Sequence, residues 1–326
     1  MGERLVALQF PGQGSQRVGM GRELCERSAA AAAVFARADE VLGFPLSRLC
    51  FEGPAEALGD TTNTQPAVLT ASVAALRALE ERAGRPAFVA GHSLGEFSAL
   101  VAAGALEFEQ VLVLVRRRGE LMKEAGERNP GGMAAVIGLE VSQVEEICAR
   151  VRDAANGPAD AGDGGTDGRY VGISCYNGPG QVVISGDEET LQVGMAAMEA
   201  AGARRVVRLA ISIAAHSPLM AEVSATFGRL LEAAAIRRPE VPIVANATAR
   251  PLMDPRHIRE ALGRQLVSPV HWLGSVRWMI HQGVTRFVEA GPGDVLTGLV
   301  RRIDRGVVRL TTEQALADGP HLDPVV

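Results

Sequence analysis

Residues 87–106, "AFVAGHSLGEFSALVAAGAL", pass from a short apolar run through a Gly-x-Ser-x-Gly turn into an alanine-rich segment. The apolar run predicts a strand, and the segment after it a helix over 94–103. A strand that turns at once into a helix needs small residues two positions either side of the turning one, because the two backbones pass closely there. Gly91 and Gly95 supply them. Ser93 then stands at a helix N-terminus, where N–H groups and the helix dipole favour developing negative charge. Such a turn suits acyl chemistry, whether that of a lipase, an esterase or an acyl transferase.

Working outward, "RLVALQFPGQGSQ" predicts a buried strand over Leu5–Phe10 that enters a glycine-rich turn, then a helix over 21–42. Helical periodicity covers 64–84, with a proline in its first turn, and a further helix is predicted over 108–125. Strands alternating with helices imply an α/β layer architecture with a mostly parallel sheet. From 131 the pattern changes. Strand 133–137, helix 141–151, strands 171–176 and 181–185, helix 188–201 and strand 205–209 make a β-α-β-β-α-β order, the ferredoxin-like split pattern. We therefore expect an inserted small subdomain over 131–208 and a large catalytic subdomain from 1–130 and 209–326. The return predicts helices over 217–235, Pro255–Gln265, 272–282 and Val295–Ile303, strands over 243–246 and 286–289, and a tail, "DGPHLDPVV", that frays.

With 326 residues, 47% of them hydrophobic, the chain can bury a sizeable core. Its formal charge of -5 argues against nucleic acid or an anionic membrane as partner. No window is apolar enough for a membrane span, and residues 1–10 do not read as a secretory leader. Four widely spaced cysteines without a CxxC pair fit a reducing cytoplasm. Six histidines without ligand spacing make a metal site improbable.

A serine nucleophile needs a base, and His216 in "AISIAAHSPLM" lies at a strand-to-helix junction, where side chains face a cleft. His257 and His281 fall on polar helix faces, His271 suits a packed core position, and His92 should point away from Ser93. No aspartate stands clearly between Ser93 and His216, and a backbone carbonyl is an alternative third member. On the helix "EQVLVLVRRRGELM", Val111, Leu114, Val115, Arg118 and Met122 share a stripe, whereas Arg116 and Arg117 lie toward the opposite face. Two antiparallel helices of similar length bring Arg118 back toward Ser93. A buried guanidinium there matches a substrate carboxylate or an internal acid.

Together "FPGQGSQ", "GHSLGE", an arginine 25 residues after the serine, "NGPGQVVISG", "AAHSPLM", "RQLVSPVHW" and "EAGPGDVLTGLVRRI" resemble the malonyl-CoA:acyl-carrier-protein transacylases and the acyltransferases of polyketide synthases. The resemblance spans nearly the whole chain. It implies an α/β-hydrolase-like large subdomain with a ferredoxin-like insertion, Ser93 as nucleophile, His216 as base and Arg118 as the grip on a malonyl carboxylate. It further implies that the Gln265 carbonyl orients His216 and that the N–H groups of Leu94 and Gln13 form the oxyanion hole. Asn177 would contact the thioester or the pantetheine. No bound cofactor is implied: a coenzyme A thioester, malonyl-CoA or a relative, is substrate, and a separate acyl carrier protein is partner, in fatty-acid or polyketide synthesis. A carrier-protein thioester hydrolase is the alternative, sharing the serine and histidine but with no use for Arg118.

Where the family reads "HAFH" or "YASH", this chain has "IAAH", so the small side chains of Ala214 and Ala215 would admit an α-substituent. Cys175 stands where an asparagine is common, and the loop 152–170 is long. No ketosynthase or carrier domain follows the last motif, so action in trans is expected. An acidic carrier calls for a basic face, with Arg204, Arg205, Arg208, Arg237 and Arg238 as candidates.

Overall fold

The larger of two sheets runs in the order β10 (Val308–Thr311), β9 (Val284–Glu289), β1 (Leu5–Phe10), β2 (Phe88–Gly91), β7 (Ile243–Val244) and β8 (Pro251–Leu252). The computed structural model describes residues 5–80, 85–156 and 169–317. All pairings in this sheet are parallel except β7 with β8. Its central strands read as apolar runs because helices cover both faces; Ala7, Leu8, Phe10, Val89 and Ala90 are all buried.

Among the described residues the helices are α1 (Arg22–Arg27), α2 (Ala29–Leu42), α3 (Leu46–Glu52), α4 (Ala55–Gly59), α5 (Thr61–Glu80), α6 (Gly95–Ala102), α7 (Phe108–Arg128), α8 (Val141–Asn156), α9 (Glu188–Ala200), α10 (Ala221–Glu232), α11 (Pro255–Gln265), α12 (Trp272–His281), α13 (Val295–Ile303) and α14 (Thr312–Ala317). The expected helix over 21–42 is two. Ser28 breaks it in an extended conformation and caps α2, its Oγ accepting the Ala31 N–H at 3.2 Å. Pro66 lies inside α5 rather than in its first turn, because the helix starts at Thr61. The Thr62 carbonyl, left without the N–H that Pro66 lacks, accepts Arg116 Nη1 at 3.2 Å. The helix expected over 217–235 opens as a 3-10 turn, Pro218–Met220, and α10 ends at Glu232. Short elements escaped the periodicity reading: α3, α4, β8, β10 and α14 span two to seven residues each. Of the long loop, 152–156 continues α8, while 157–168, like the tail 318–326, lies outside the described residues.

The second sheet comprises β3 (Gly131–Ile137), β4 (Val171–Gly178), β5 (Gln181–Asp187) and β6 (Arg205–Arg208), in the order β4-β5-β3-β6 with every pairing antiparallel. With α8 and α9 packed together against it, this is the ferredoxin-like arrangement. It has its own core, which includes Val136, Val144, Ile147, Ile184 and Leu191. Two backbone hydrogen bonds stitch it to the rest of the chain: Val270 N–H donates to Ser174 O and Tyr176 N–H to Val270 O, both at 2.8 Å. Next to this stitch the His271 ring stacks on Tyr176, 4.9 Å between centroids. The fold is mixed α/β with a parallel sheet, and the site lies between the sheets.

Candidate active site

β2 ends at Gly91 and α6 begins at Gly95, so the turn has three residues in which to reverse. A Cβ at Gly91 would overlap the backbone of Gly95, and one at Gly95 would overlap the Phe10 carbonyl. The neighbouring β1 and its glycine turn press just as closely, since a Cβ at Gly12 would lie 2.5 Å from the His92 carbonyl. Ser93 takes φ 51 within this turn, a left-handed value that costs a serine about 1–3 kcal/mol and must be held by its surroundings. Two amide side chains hold it. Asn246 Oδ1 accepts the Ser93 N–H at 2.6 Å while its Nδ2 donates to the Gly91 carbonyl, also at 2.6 Å. Gln265 Nε2 donates to the Ser93 carbonyl at 3.0 Å.

His216 is also left-handed, φ 60. Its Nε2 lies 2.7 Å from Ser93 Oγ, and its Nδ1 lies 2.8 Å from the Gln265 carbonyl and 3.2 Å from that of Ser268. Carbonyls only accept, so Nδ1 carries the proton and Nε2 presents a lone pair to the serine hydroxyl. Burial, aided by the charge of Arg118, holds the imidazole far below its usual range, at about 3, so it is neutral at physiological pH.

Arg118 points inward from α7 and is 1% exposed. Its Nη1 donates to Gln65 Oε1 and its Nη2 to Gln265 Oε1, both at 2.9 Å, and Nη2 also lies 3.4 Å from Ser93 Oγ. Burial lowers its pKa to about 10, which leaves it charged, while Nε has no partner. Among the described residues no carboxylate lies within 4.0 Å of it, and Glu96 acts on its charge from farther off, across the Gln265 amide. Arg116 and Arg117 diverge from it as expected, Arg117 reaching Glu120 and Glu124 and Arg116 reaching Glu120 and Asn63.

A cavity of about 480 Å³ joins these groups, lined by Gln13, Ser93, Leu94, Arg118, Asn177 and His216 among others. Among the described residues no hydrogen bond engages the backbone N–H of Gln13 or Leu94. Asn177 reaches the cavity from the small sheet and is held by His92, Nε2 to Oδ1 at 2.8 Å. His92 packs on Trp272 and does not bond Ser93, although it too lines the cavity. Cys175 forms part of the wall with its thiol pushed up to about 12 by burial.

One expectation needs correction. Ala215 lines the cavity but Ala214 does not: it faces Gly131, whose Cβ would lie 3.2 Å from its own, and its carbonyl accepts Ser217 Oγ at 2.6 Å. His257 and His281 are exposed, and His271 is half-buried. Of the basic candidates, Arg208 pairs with Glu188 and Arg237 with Glu107, both at 2.5 Å, while Arg204, Arg205 and Arg238 are exposed. None of the five lines the cavity.

Sequence reasoning missed Gln65, Asn246, Glu96 and the side chain of Gln265. Glu96 had a signal, being the single charged residue in 87–106, whereas the amides had none in a one-dimensional pattern. Among the described residues no group of three His, Cys, Asp or Glu could hold a metal, and no helix is long and apolar enough to cross a membrane.

Residues 9–308 match the acyl transferase domain family. The chain is 41% identical over 300 residues to the malonyl CoA-acyl carrier protein transacylase of Bacillus subtilis, covering 92% of this chain and 90% of that one. It superposes on the corresponding transacylase of Xanthomonas oryzae with a TM-score of 0.90 at 39% identity, over 98% of this chain and all (100%) of that one. On a malonyl-transacylase solved in complex with its type II PKS acyl-carrier protein the TM-score is 0.89 at 38% identity, over 97% of this chain and 100% of that one. From the strained serine to the carbonyl-held histidine and the breadth of these matches, the chain belongs to the acyl transferase domain family, the family of the malonyl CoA-acyl carrier protein transacylases.

Proposed function

We propose that this chain moves a malonyl group from coenzyme A to the pantetheine thiol of an acyl carrier protein, through an acyl-serine at Ser93. The observation that carries the reading is Arg118: a charged, buried guanidinium 3.4 Å from Ser93 Oγ, held by two neutral amide oxygens and by no acid among the described residues. A carboxylate at the far end of the acyl group completes that site, and its planar fork suits bidentate binding. In the first half-reaction Ser93 Oγ attacks the thioester carbon and its proton passes to His216 Nε2. The new oxyanion faces the N–H groups of Leu94 and Gln13. As the tetrahedral adduct collapses, the carbon–sulfur bond breaks and His216 returns the proton to the departing coenzyme A sulfur. The carrier thiol then enters, gives its proton to His216 and attacks the acyl-serine. Breaking the carbon–oxygen bond returns that proton to Ser93. Asn177, at the cavity wall, contacts the thioester or the pantetheine arm.

The position of Ala215 on the cavity wall supports admission of small α-substituents on the malonyl group. The reading puts the protein in the cytoplasm, where its four free cysteines remain thiols. The test is intact-mass and peptide-level analysis after mixing with malonyl-CoA. A malonyl adduct on the Ser93 peptide that holo carrier protein discharges is expected. Release of free malonate at the same rate with and without carrier would overturn transfer in favour of hydrolysis.

A further inference from the structure

Glu96 sits in the first turn of α6, 3% exposed, and does not line the cavity. A buried carboxylate is costly unless hydrogen bonds satisfy it. Its Oε1 accepts the Asn246 N–H at 3.1 Å, and its Oε2 accepts Gln265 Nε2 at 2.5 Å. The Gln265 amide has two unlike ends. The NH₂ end serves Glu96 and the Ser93 carbonyl, and the oxygen end accepts Arg118 Nη2 at 2.9 Å. An ionised carboxylate only accepts, so it decides which end of the amide faces it. Flipping the amide would set its NH₂ against the guanidinium, donor to donor, and its oxygen against the carboxylate.

We infer that Glu96 is a positioning residue for diacid selection: through the amide of Gln265 it fixes the guanidinium of Arg118 in the orientation a malonyl carboxylate needs, without itself touching the acyl group. The inference rests on the malonyl reading above. The same carboxylate holds the backbone of Asn246, whose side chain clamps the serine turn, so one buried charge supports both the turn and the anion site.

The titration of Glu96 offers a handle that a merely structural group lacks. Burial raises its carboxyl to about 7 against the opposing pull of Gln265, Asn246 and Arg118. Arg118, on α7, is the charged group facing it, and the segments after β7 and at the end of α11 present only the amides Asn246 and Gln265. Of the histidines around Ser93, burial holds His216 at about 3, so it stays neutral as Glu96 titrates, and burial lowers His92 below its ordinary value. With its pKa raised, Glu96 is ionised above about 7 and takes a proton below it. Once protonated it no longer draws the Gln265 NH₂ as a charged acceptor, and the amide is held only by Arg118 and the Ser93 carbonyl, so its grip on the guanidinium loosens.

The experiment measures kcat/KM for acylation by malonyl-CoA and acetyl-CoA from about pH 6 to 8, a span centred on the Glu96 pKa, in the wild type, Glu96→Gln and Arg118→Ala. The malonyl-to-acetyl ratio of the wild type should fall about tenfold as pH drops through that range, the scale of one charge-assisted hydrogen bond. Glu96→Gln, which carries no charge at any pH, should give a low ratio that no longer varies with pH. A wild-type ratio flat across the range overturns the inference, as does a Glu96→Gln protein slowed equally toward both substrates. Should Glu96→Gln fail to fold, the wild-type profile alone decides. Failure of the malonyl reading has a different signature, a wild type without malonyl preference and an Arg118→Ala that slows both acyl groups alike.

Discussion

Replacing Arg118 by alanine removes a guanidinium that is 1% exposed and held at 2.9 Å by the amide oxygens of both Gln65 and Gln265. Two consequences separate cleanly. The first falls on the free protein: two buried acceptors lose their donor, at about 1–3 kcal/mol each, and a void opens beneath the serine. That loss is common to every substrate and should lower the denaturation midpoint. The second falls on the acyl group alone. A bidentate carboxylate makes two charge-assisted hydrogen bonds of about 1.5–3 kcal/mol each, part of which offsets its own desolvation. About 3 kcal/mol remains, or about a hundredfold in kcat/KM at 1.4 kcal/mol per tenfold. Quenched-flow acylation followed by intact-mass analysis, with malonyl-CoA and acetyl-CoA side by side, reads the second effect as a ratio in which the first cancels. Arg118→Lys should recover only part of it, because an ammonium keeps the charge but not the fork. Equal losses on malonyl and acetyl groups would refute the role given to the guanidinium.

His216→Ala should slow formation of the acyl-serine about a thousandfold or more, read as adduct per unit time. In Glu96→Gln, where the other group titrating in this range is removed, acetylation by acetyl-CoA should show no inflection at the ordinary histidine value: with His216 depressed to about 3, the base is already neutral above pH 5 or so, and a rise through about 6.5 would contradict the burial argument. Asn246→Ala strips partners from the Ser93 N–H and the Gly91 carbonyl and should destabilise the fold by about 2–4 kcal/mol in urea titration while lowering acylation of Ser93. Ala215→Val narrows the cavity wall, so methylmalonyl-CoA should lose about tenfold relative to malonyl-CoA in paired rate measurements, whereas Ala214→Ser, off the wall, should leave that ratio unchanged. Cys175, with its thiol at about 12, should resist iodoacetamide at pH 8 in the folded protein, checked by mass of the alkylated peptides.

The serine turn was legible because its requirement is local. A Cβ at Gly91 would meet the backbone of Gly95 only four residues on, and the strand and helix either side announce themselves by periodicity, although Gly95 itself answers Phe10 of the neighbouring strand. Arg118 was legible because a helix stripe with one guanidinium in it has few places to go. His216 emerged by elimination among six histidines; the residues alone offered only some carbonyl as its partner, and the family resemblance pointed to that of Gln265. What stayed hidden was the layer of amides beneath the site. Gln65, Asn246 and Gln265 lie up to 172 residues from the groups they hold, and an amide in a helix or a turn carries no periodic or charge signature. The ends of the long helices were likewise misplaced where a single hydrogen bond decides them, as Ser28 Oγ does at the start of α2.

The stretch from Gln265 to Val270 turns two sides to two neighbours. On one it offers carbonyls to the imidazole, and on the other it pairs with Ser174 and Tyr176 of the small sheet. A donor ferredoxin-like unit grafted from a relative therefore has to match this strip in length as well as the two cut points of the chain. One residue added or lost here would shift the ladder and the ring-holding oxygens together, so chimeras that exchange 131–208 should carry the strip with them. Spacing in this stretch, more than identity, is what recombination must conserve.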